Sequence, residues 1–272
     1  MHRLRRISAA VAVAGVLGVA APAAAGAVPT ITISGATASY PLVQLLAQKY
    51  AKLHKHKIKF KIAQGGAQVG INDVAAGRVT IADVSHDPLF TPSEAGLIFY
   101  PIAKYAICVI TNKANALGNL TQSQLEAVFT GKTRSWSGVS GASASGTIDL
   151  ISRTSVAGVL TSFQTALLEG KKVSSIAAEE TSDGLVKQAV ENDPSGIGFV
   201  SNYQSDKGGV NVVSINGVAC NKSTAAAGTY AGVSRFYEVT KGNATGAAAA
   251  FINWIRGTAA ARKIISTQWI VD

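Results

Sequence analysis

Three times in this chain a β-rich apolar run stops at a turn of small residues and gives way to a helical run. Val28 to Ile33 leads through Ser34-Gly35-Ala36-Thr37-Ala38-Ser39-Tyr40-Pro41 into Leu42, Leu45, Leu46, Tyr50 and Leu53, which keep helical spacing. Ile58, Phe60 and Ile62 alternate with Lys57, Lys59 and Lys61, and then pass through Gln64–Gly70 into a helical run over 71–76 stopped by Gly77. Asp149 to Ser152 passes through Arg153-Thr154-Ser155-Val156-Ala157-Gly158 into Val159–Leu168. Strands that alternate with helices in this way predict an α/β protein with largely parallel sheets. In such sheets ligands gather at the carboxyl ends of the strands, beside helix N-termini.

The first turn shows why. Gly35 gives the backbone a conformation that a Cβ disfavours. Pro41 fits a first helical turn, where its missing N–H is no loss. Ser39 is the expected N-cap, its hydroxyl facing the unpaired amides of that turn. Those amides and the helix dipole favour an anion.

The N-terminus sets the compartment. Arg3, Arg5 and Arg6 precede the apolar run Ile7–Ala21, and Ala23-Ala24-Ala25 or Ala25-Gly26-Ala27 offers a small-x-small cleavage site. Residues 1–27 therefore read as a secretory signal peptide. No Cys follows the apolar run to carry a lipid, and no later run is long enough for a membrane span. A secreted or periplasmic, soluble, monomeric chain is expected. Net charge is +10, and losing three arginines leaves +7. Such a surface suits anions. The lysine run lacks interleaved aromatics, so it reads as a solvated sheet edge and no nucleic-acid partner is expected. Export makes a disulfide between the two cysteines, Cys108 and Cys220, plausible, with a pair of buried thiols as the alternative.

Farther along, residues 98–112 are apolar and β-rich. Thr121-Gln122-Ser123-Gln124 is a capping box opening a helix through Val128. Residues 137–147 form a Gly/Ser/Ala-rich loop, and Ser182-Asp183-Gly184 caps a helix through Glu191. Gly196–Val200, Val210–Ile215 and Arg235–Val239 read as strands, with a hairpin-type turn at Asn216-Gly217. Gly246–Ile255 and Ala259–Ile265 read as helices.

No nucleophile elbow, zinc-ligand spacing or nucleotide P-loop is present. Neither an enzyme nor a cofactor or metal site is expected. What remains are turns that can converge on one small anion. Ser39 brings a hydroxyl and Tyr40 an amide, the Gly66-Ala67 and Ala157-Gly158 turns bring further amides, and Arg153 brings a guanidinium suited to two-point oxyanion binding.

On these residues the chain resembles the phosphate-binding component of bacterial phosphate ABC transporters, within the type 2 periplasmic binding proteins. Gly35–Leu42 is similar to that family's opening phosphate loop, Gly66–Ile71 to its Gly-Ser-Gly-x-Gly-Ile loop, and Gly77–Ser85 to its next segment. Leu120–Lys132 with Ser135-Trp136 is the most specific match. Ile151–Phe163 and Gly196–Val200 complete the series.

The resemblance implies two lobes joined by two hinge strands and closing over an oxyanion. Lobe 1 would span residues 30–110 and 232–272, and lobe 2 residues 111–231. It also implies phosphate or a related oxyanion as ligand and an ABC permease as partner. Departures stand out: Ala67, Ala157 and Val159 replace family hydroxyls, and His86 stands where relatives carry an acid or Arg. Asp87 is a candidate substitute acceptor, and Lys104 replaces an acid. A site more basic and poorer in hydroxyls is expected, and the same fold with an altered or lost ligand, serving as an extracellular interaction module, is the alternative.

Overall fold

A computed structural model describes residues 28–272; the expected signal peptide lies outside these residues. The chain opens with β1 (Thr30–Gly35), α1 (Tyr40–Leu53), β2 (Lys59–Gln64), α2 (Ala67–Ala75) and β3 (Ile81–Val84). The long strand β4 (Leu97–Asn112) follows, then β5 (Asn119–Leu120), α3 (Gln122–Phe129), β6 (Asp149–Arg153) and α4 (Gly158–Leu167). Next come β7 (Ala178–Glu180), α5 (Asp183–Asn192), β8 (Gly196–Ser201), α6 (Asn202–Ser205), β9 (Val210–Ile215) and α7 (Lys222–Ala226). The chain closes with β10 (Val233–Lys241), α8 (Gly246–Gly257) and α9 (Ala259–Gln268).

The strands run in the order β2-β1-β3-β10-β4-β8-β6-β7, with β9 against β4 and β5 against β9. Outer pairs are parallel: β1 with β2 and β3, and β6 with β7 and β8. The central pairs, all involving β4 or β10, are antiparallel. One strand serves both halves. Residues 97–106 of β4 pair with β10, and from Ile107 onward β4 pairs with β8 and then β9. The changeover is fixed by side chains. Asn202 Oδ1 accepts the Ala106 N–H at 3.1 Å, and the Tyr230 hydroxyl donates to the Ile107 carbonyl at 2.9 Å.

A shared core binds the halves. Tyr105 stacks on Phe236, Phe163 stacks on Phe199, and Trp136 and Trp269 are fully buried. Each such aromatic removes a large apolar area from water. Cys108 on β4 and Cys220 before α7 form a disulfide, with Cα atoms 5.5 Å apart.

Local chemistry explains most boundaries. Thr121 and Gln124 make both bonds of the capping box, and Asn216 and Gly217 both take positive φ in the hairpin turn. Two expectations change. The Ser39 hydroxyl does not cap α1; it donates back to the Ala36 carbonyl at 3.2 Å, because Ser39 itself has turned helical (φ −81°, ψ −20°). Helix α2 starts at Ala67 rather than Ile71. Only Gly65-Gly66 are needed for the turn, with Gly66 at φ 102° and Ala67 already buried.

Candidate functional site

Gly35 takes φ 144°, and a Cβ there would lie 2.1 Å from the Asp83 carbonyl oxygen. Only glycine therefore lets the chain leave β1 this close to β3. The same carbonyl accepts the Ala36 N–H at 2.9 Å, and Gly35 O accepts the N–H groups of Gly65 and Gly66. The first two turns are thus built on each other before either helix begins.

From the other half of the sheet comes Arg153, the last residue of β6 and 1% exposed. Its guanidinium is ion-paired with the buried Asp183. Nε donates to Glu180 O at 3.1 Å, and Nη2 donates to Thr181 O and to the Thr37 hydroxyl oxygen, both at 3.0 Å. Thr37 lies in the turn that opens α1, so Arg153 reaches across to the other half. Asp183 is held in turn by the Ser201 N–H at 2.9 Å. A buried arginine needs this degree of satisfaction, since an unpaired charge there costs several kcal/mol.

The second contact across the halves joins two helix starts. Gln68 N–H, in the first turn of α2, donates to Val156 O at 3.1 Å. Gly158, the first residue of α4, is packed so closely that a Cβ would lie 2.6 Å from Ser85 Oγ and 2.9 Å from both Ala67 Cβ and His86 Cδ2. The opening N–H groups of α2 and α4 have no intrahelical acceptors. They face each other across a buried seam that contains Ser85 and His86, at 1% and 3% exposure. Ser85 Oγ is buried there without a partner. The His86 Nδ1 sits 2.9 Å from the Asp87 carbonyl, which can only accept. Nδ1 therefore carries the proton, and Nε2 is left as an acceptor.

The structure thus brings Ala67, His86, Ala157 and Gly158 into one seam. Arg153, Ser39 and Tyr40 lie beside it, linked through Thr37. Arg153 is not open for two-point binding, because Asp183 and backbone carbonyls occupy its N–H groups. Asp87 is turned away: its carboxylate accepts the Tyr237 hydroxyl at 2.6 Å and lies 3.6 Å from Arg235. Lys104 pairs with Asp272 at 3.3 Å. The extra basicity expected of the site is therefore largely neutralised. Sequence reading missed Thr37, Asp183 and Ser85. For Asp183 the visible signal was only its place in a helix cap, and nothing local tells which cation a cap residue meets.

A family model described as a PBP superfamily domain matches residues 20–257, and the chain belongs to that superfamily. Its mixed α/β fold is that of the type 2 periplasmic binding proteins. The chain is 26% identical to the phosphate-binding protein PstS of Bacillus subtilis over 242 residues, covering 88% of this chain and 79% of that one. It is 31% identical to the phosphate-binding protein PstS 2 of Streptococcus agalactiae over 110 residues, 40% of this chain and 37% of that one.

Among solved structures, one assigned as a phosphate ABC transporter substrate-binding protein with bound phosphate, from Clostridium perfringens, superposes with a TM-score of 0.82 at 25% identity. That match covers 89% of this chain and 99% of that one. An ABC-type phosphate transport receptor from Vibrio cholerae gives 0.73 at 25% identity, covering 89% and 100%. These relatives are binding proteins rather than enzymes. No helix among the described residues is long and apolar enough to cross a membrane.

Proposed function

We propose that this chain is an exported receptor that binds phosphate, or a closely related oxyanion, in the seam between two lobes and delivers it to an ABC-type permease. Lobe 1 takes residues 30–110 and 232–272, and lobe 2 residues 111–231. They are hinged where β4 changes partners and where the chain enters β10. The observation that carries the reading is the meeting of the α2 and α4 N-termini across the halves. Two sets of unpaired amides converge there on one buried point that holds an unpartnered Ser85 hydroxyl.

In this reading the amides of Tyr40, Ala67 and Gly158, with the Ala157 turn, hold the anion's oxygens, and Ser39 shapes the first loop. His86 Nε2 accepts the proton of hydrogen phosphate. Arg153 supplies positive potential while Asp183 fixes its position. A ligand touching both lobes stabilises the closed form by as much as it prefers that form to the open one. No step of bond making is involved.

Calorimetric titration of the chain from residue 28 with orthophosphate, arsenate and sulfate at pH 7 tests this. Saturable heat with phosphate, abolished by Gly158→Ala, is expected. No heat at millimolar phosphate would refute the phosphate assignment.

A further inference from the structure

Strand β2 ends the sheet and pairs only with β1 among the described strands. One side of its backbone is therefore open to another strand. Against that edge runs an open groove of about 590 Å³ between α1 and β2, walled by Gln44, Ala47 and Ala51 on the helix and by Phe60 and Ile62 on the strand. Ile58, Phe60 and Ile62 contact the main core and remain only half-buried. The alternate positions Lys57, Lys59 and Lys61 are exposed.

The charge here is one-sided. No Asp or Glu occurs from Val28 to Asn72. Among the described residues, none of Lys49, Lys52, Lys55, Lys57, Lys59 and Lys61 forms an ion pair. The turn that presents them is ordered by hydrogen bonds. Lys55 and His56 take φ of 50° and 58°, and four backbone bonds hold them: His54 to Tyr50, Lys55 to Lys52, His56 to Ala51 and Lys57 to His54. A positive φ at two successive residues that carry a Cβ is costly, and surrounding bonds must fix it.

We propose that the β2 edge is a docking site for a partner protein that presents an extended segment alternating acidic and apolar residues, added to the sheet as a further strand. A strand at the next position lies about 4.8 Å away and alternates its side chains between the two faces. Its apolar residues fill the groove beside α1 and cover Ile58, Phe60 and Ile62. Its carboxylates fall on the other face, opposite Lys59 and Lys61. The same lysines repel the identical edge of a second copy, so the edge rejects itself while accepting an acidic strand. A simple polyanion such as polyphosphate would satisfy the lysines but leave the half-buried apolar residues uncovered. The protein strand is the better fit.

The probe is a dye-labelled, end-capped octapeptide alternating glutamate and valine, titrated by anisotropy against the chain from residue 28. Saturable binding is expected, with slowed hydrogen exchange at amides within 58–64. A central proline in the peptide should weaken binding at least tenfold, because it removes a ladder donor. Lys59→Glu with Lys61→Glu, both exposed, should abolish it and admit the lysine–valine counterpart instead, with far-UV circular dichroism unchanged. The proposal is overturned if the acidic peptide fails to bind at millimolar concentration, or if the proline-broken peptide or polyphosphate binds as tightly. Protection appearing away from β2 overturns it as well. Orthophosphate titration of the doubly substituted chain separates this from the seam: its phosphate heat should match that of the parent chain.

Discussion

Replacing Glu238 by Gln should make this protein more stable at neutral pH and flatten the fall in its stability between pH 4 and 7. Glu238 on β10 lies directly opposite Asp83 on β3. Both are buried, at 0% and 1% exposure, and three of their four carboxyl oxygens are buried without a hydrogen-bond partner. Burial pushes the Asp83 carboxyl up to about 7, and burial together with the neighbouring Asp83 raises Glu238 well above the usual range. A proton on either acid lets it donate to the other, so the folded state holds protons that the unfolded chain releases near pH 4.

For Asp83 the sign follows directly. Its contribution is fully present below about pH 4 and is lost as pH rises through about 7. At about 1.4 kcal/mol per pH unit, that window amounts to about 4 kcal/mol. Glu238, displaced in the same direction, extends the loss above neutrality. A Gln at 238 keeps the volume, donates an N–H to Asp83 and removes one acid from the pair.

Urea unfolding at pH 5, 6, 7 and 8 for the parent chain, Glu238→Gln and Asp83→Asn reads the effect. The gain of each variant over the parent should grow with pH and reach about 2 kcal/mol or more at pH 8. Parallel stability curves across the four pH values would refute the reasoning, since the pair would then bind no extra proton on folding.

Gly158→Ala should lower phosphate affinity at least tenfold by calorimetry while shifting Tm little, because the added Cβ meets Ser85, His86 and Ala67 only when the seam is closed. Ala67→Ser should raise phosphate affinity by about tenfold or more, the worth of one hydrogen bond to a charged group; an unchanged Kd would place the anion away from α2. Asp183→Asn should cost about 3–5 kcal/mol in urea unfolding, since it leaves Arg153 buried without its counter-charge. Reducing Cys108–Cys220, which closes a loop of 112 residues, should lower stability by up to about 4 kcal/mol, read as a drop in Tm with dithiothreitol.

Much of the architecture was legible because its signals are local. The Thr121 capping box, the Asn216-Gly217 turn and the period-two run at Ile58–Ile62 each state their own conformation within a few residues. So did Gly35, whose need for positive φ is fixed by the Asp83 carbonyl beside it. What stayed illegible depends on partners distant in sequence. The Ser39 hydroxyl takes the Ala36 carbonyl because Ser39 itself turns helical, which a capping preference does not anticipate. The Arg153–Asp183 pair spans thirty residues, and the bond to Thr37 spans 116. Asp83 and Glu238 meet only because β10 returns from the far end of the chain to pair with β3. No window of sequence contains both acids.

The pairing of Arg153 also changes how an anion must be held. A lone guanidinium in a dry seam would supply a full charge, but here Asp183 cancels it at close range, and Thr37, Glu180 and Thr181 use its remaining directions. The attraction left for an oxyanion comes from peptide N–H groups at two opposed helix starts. Each is a partial charge, fixed in place and needing no rotation to meet the ligand. Such a site selects by geometry more than by total charge, because amides on two lobes must reach separate oxygens at once. It also explains how Ala67, Ala157 and Val159 are compatible with an anion site. Losing a side-chain hydroxyl removes one donor, whereas the backbone donors persist under any residue with an N–H. An Ala157→Pro change, which leaves Asp183 and Arg153 untouched but deletes one N–H of that turn and restrains its φ, should therefore weaken phosphate binding more than Arg153→Lys does. The opposite ranking by calorimetry would return the guanidinium to the central role.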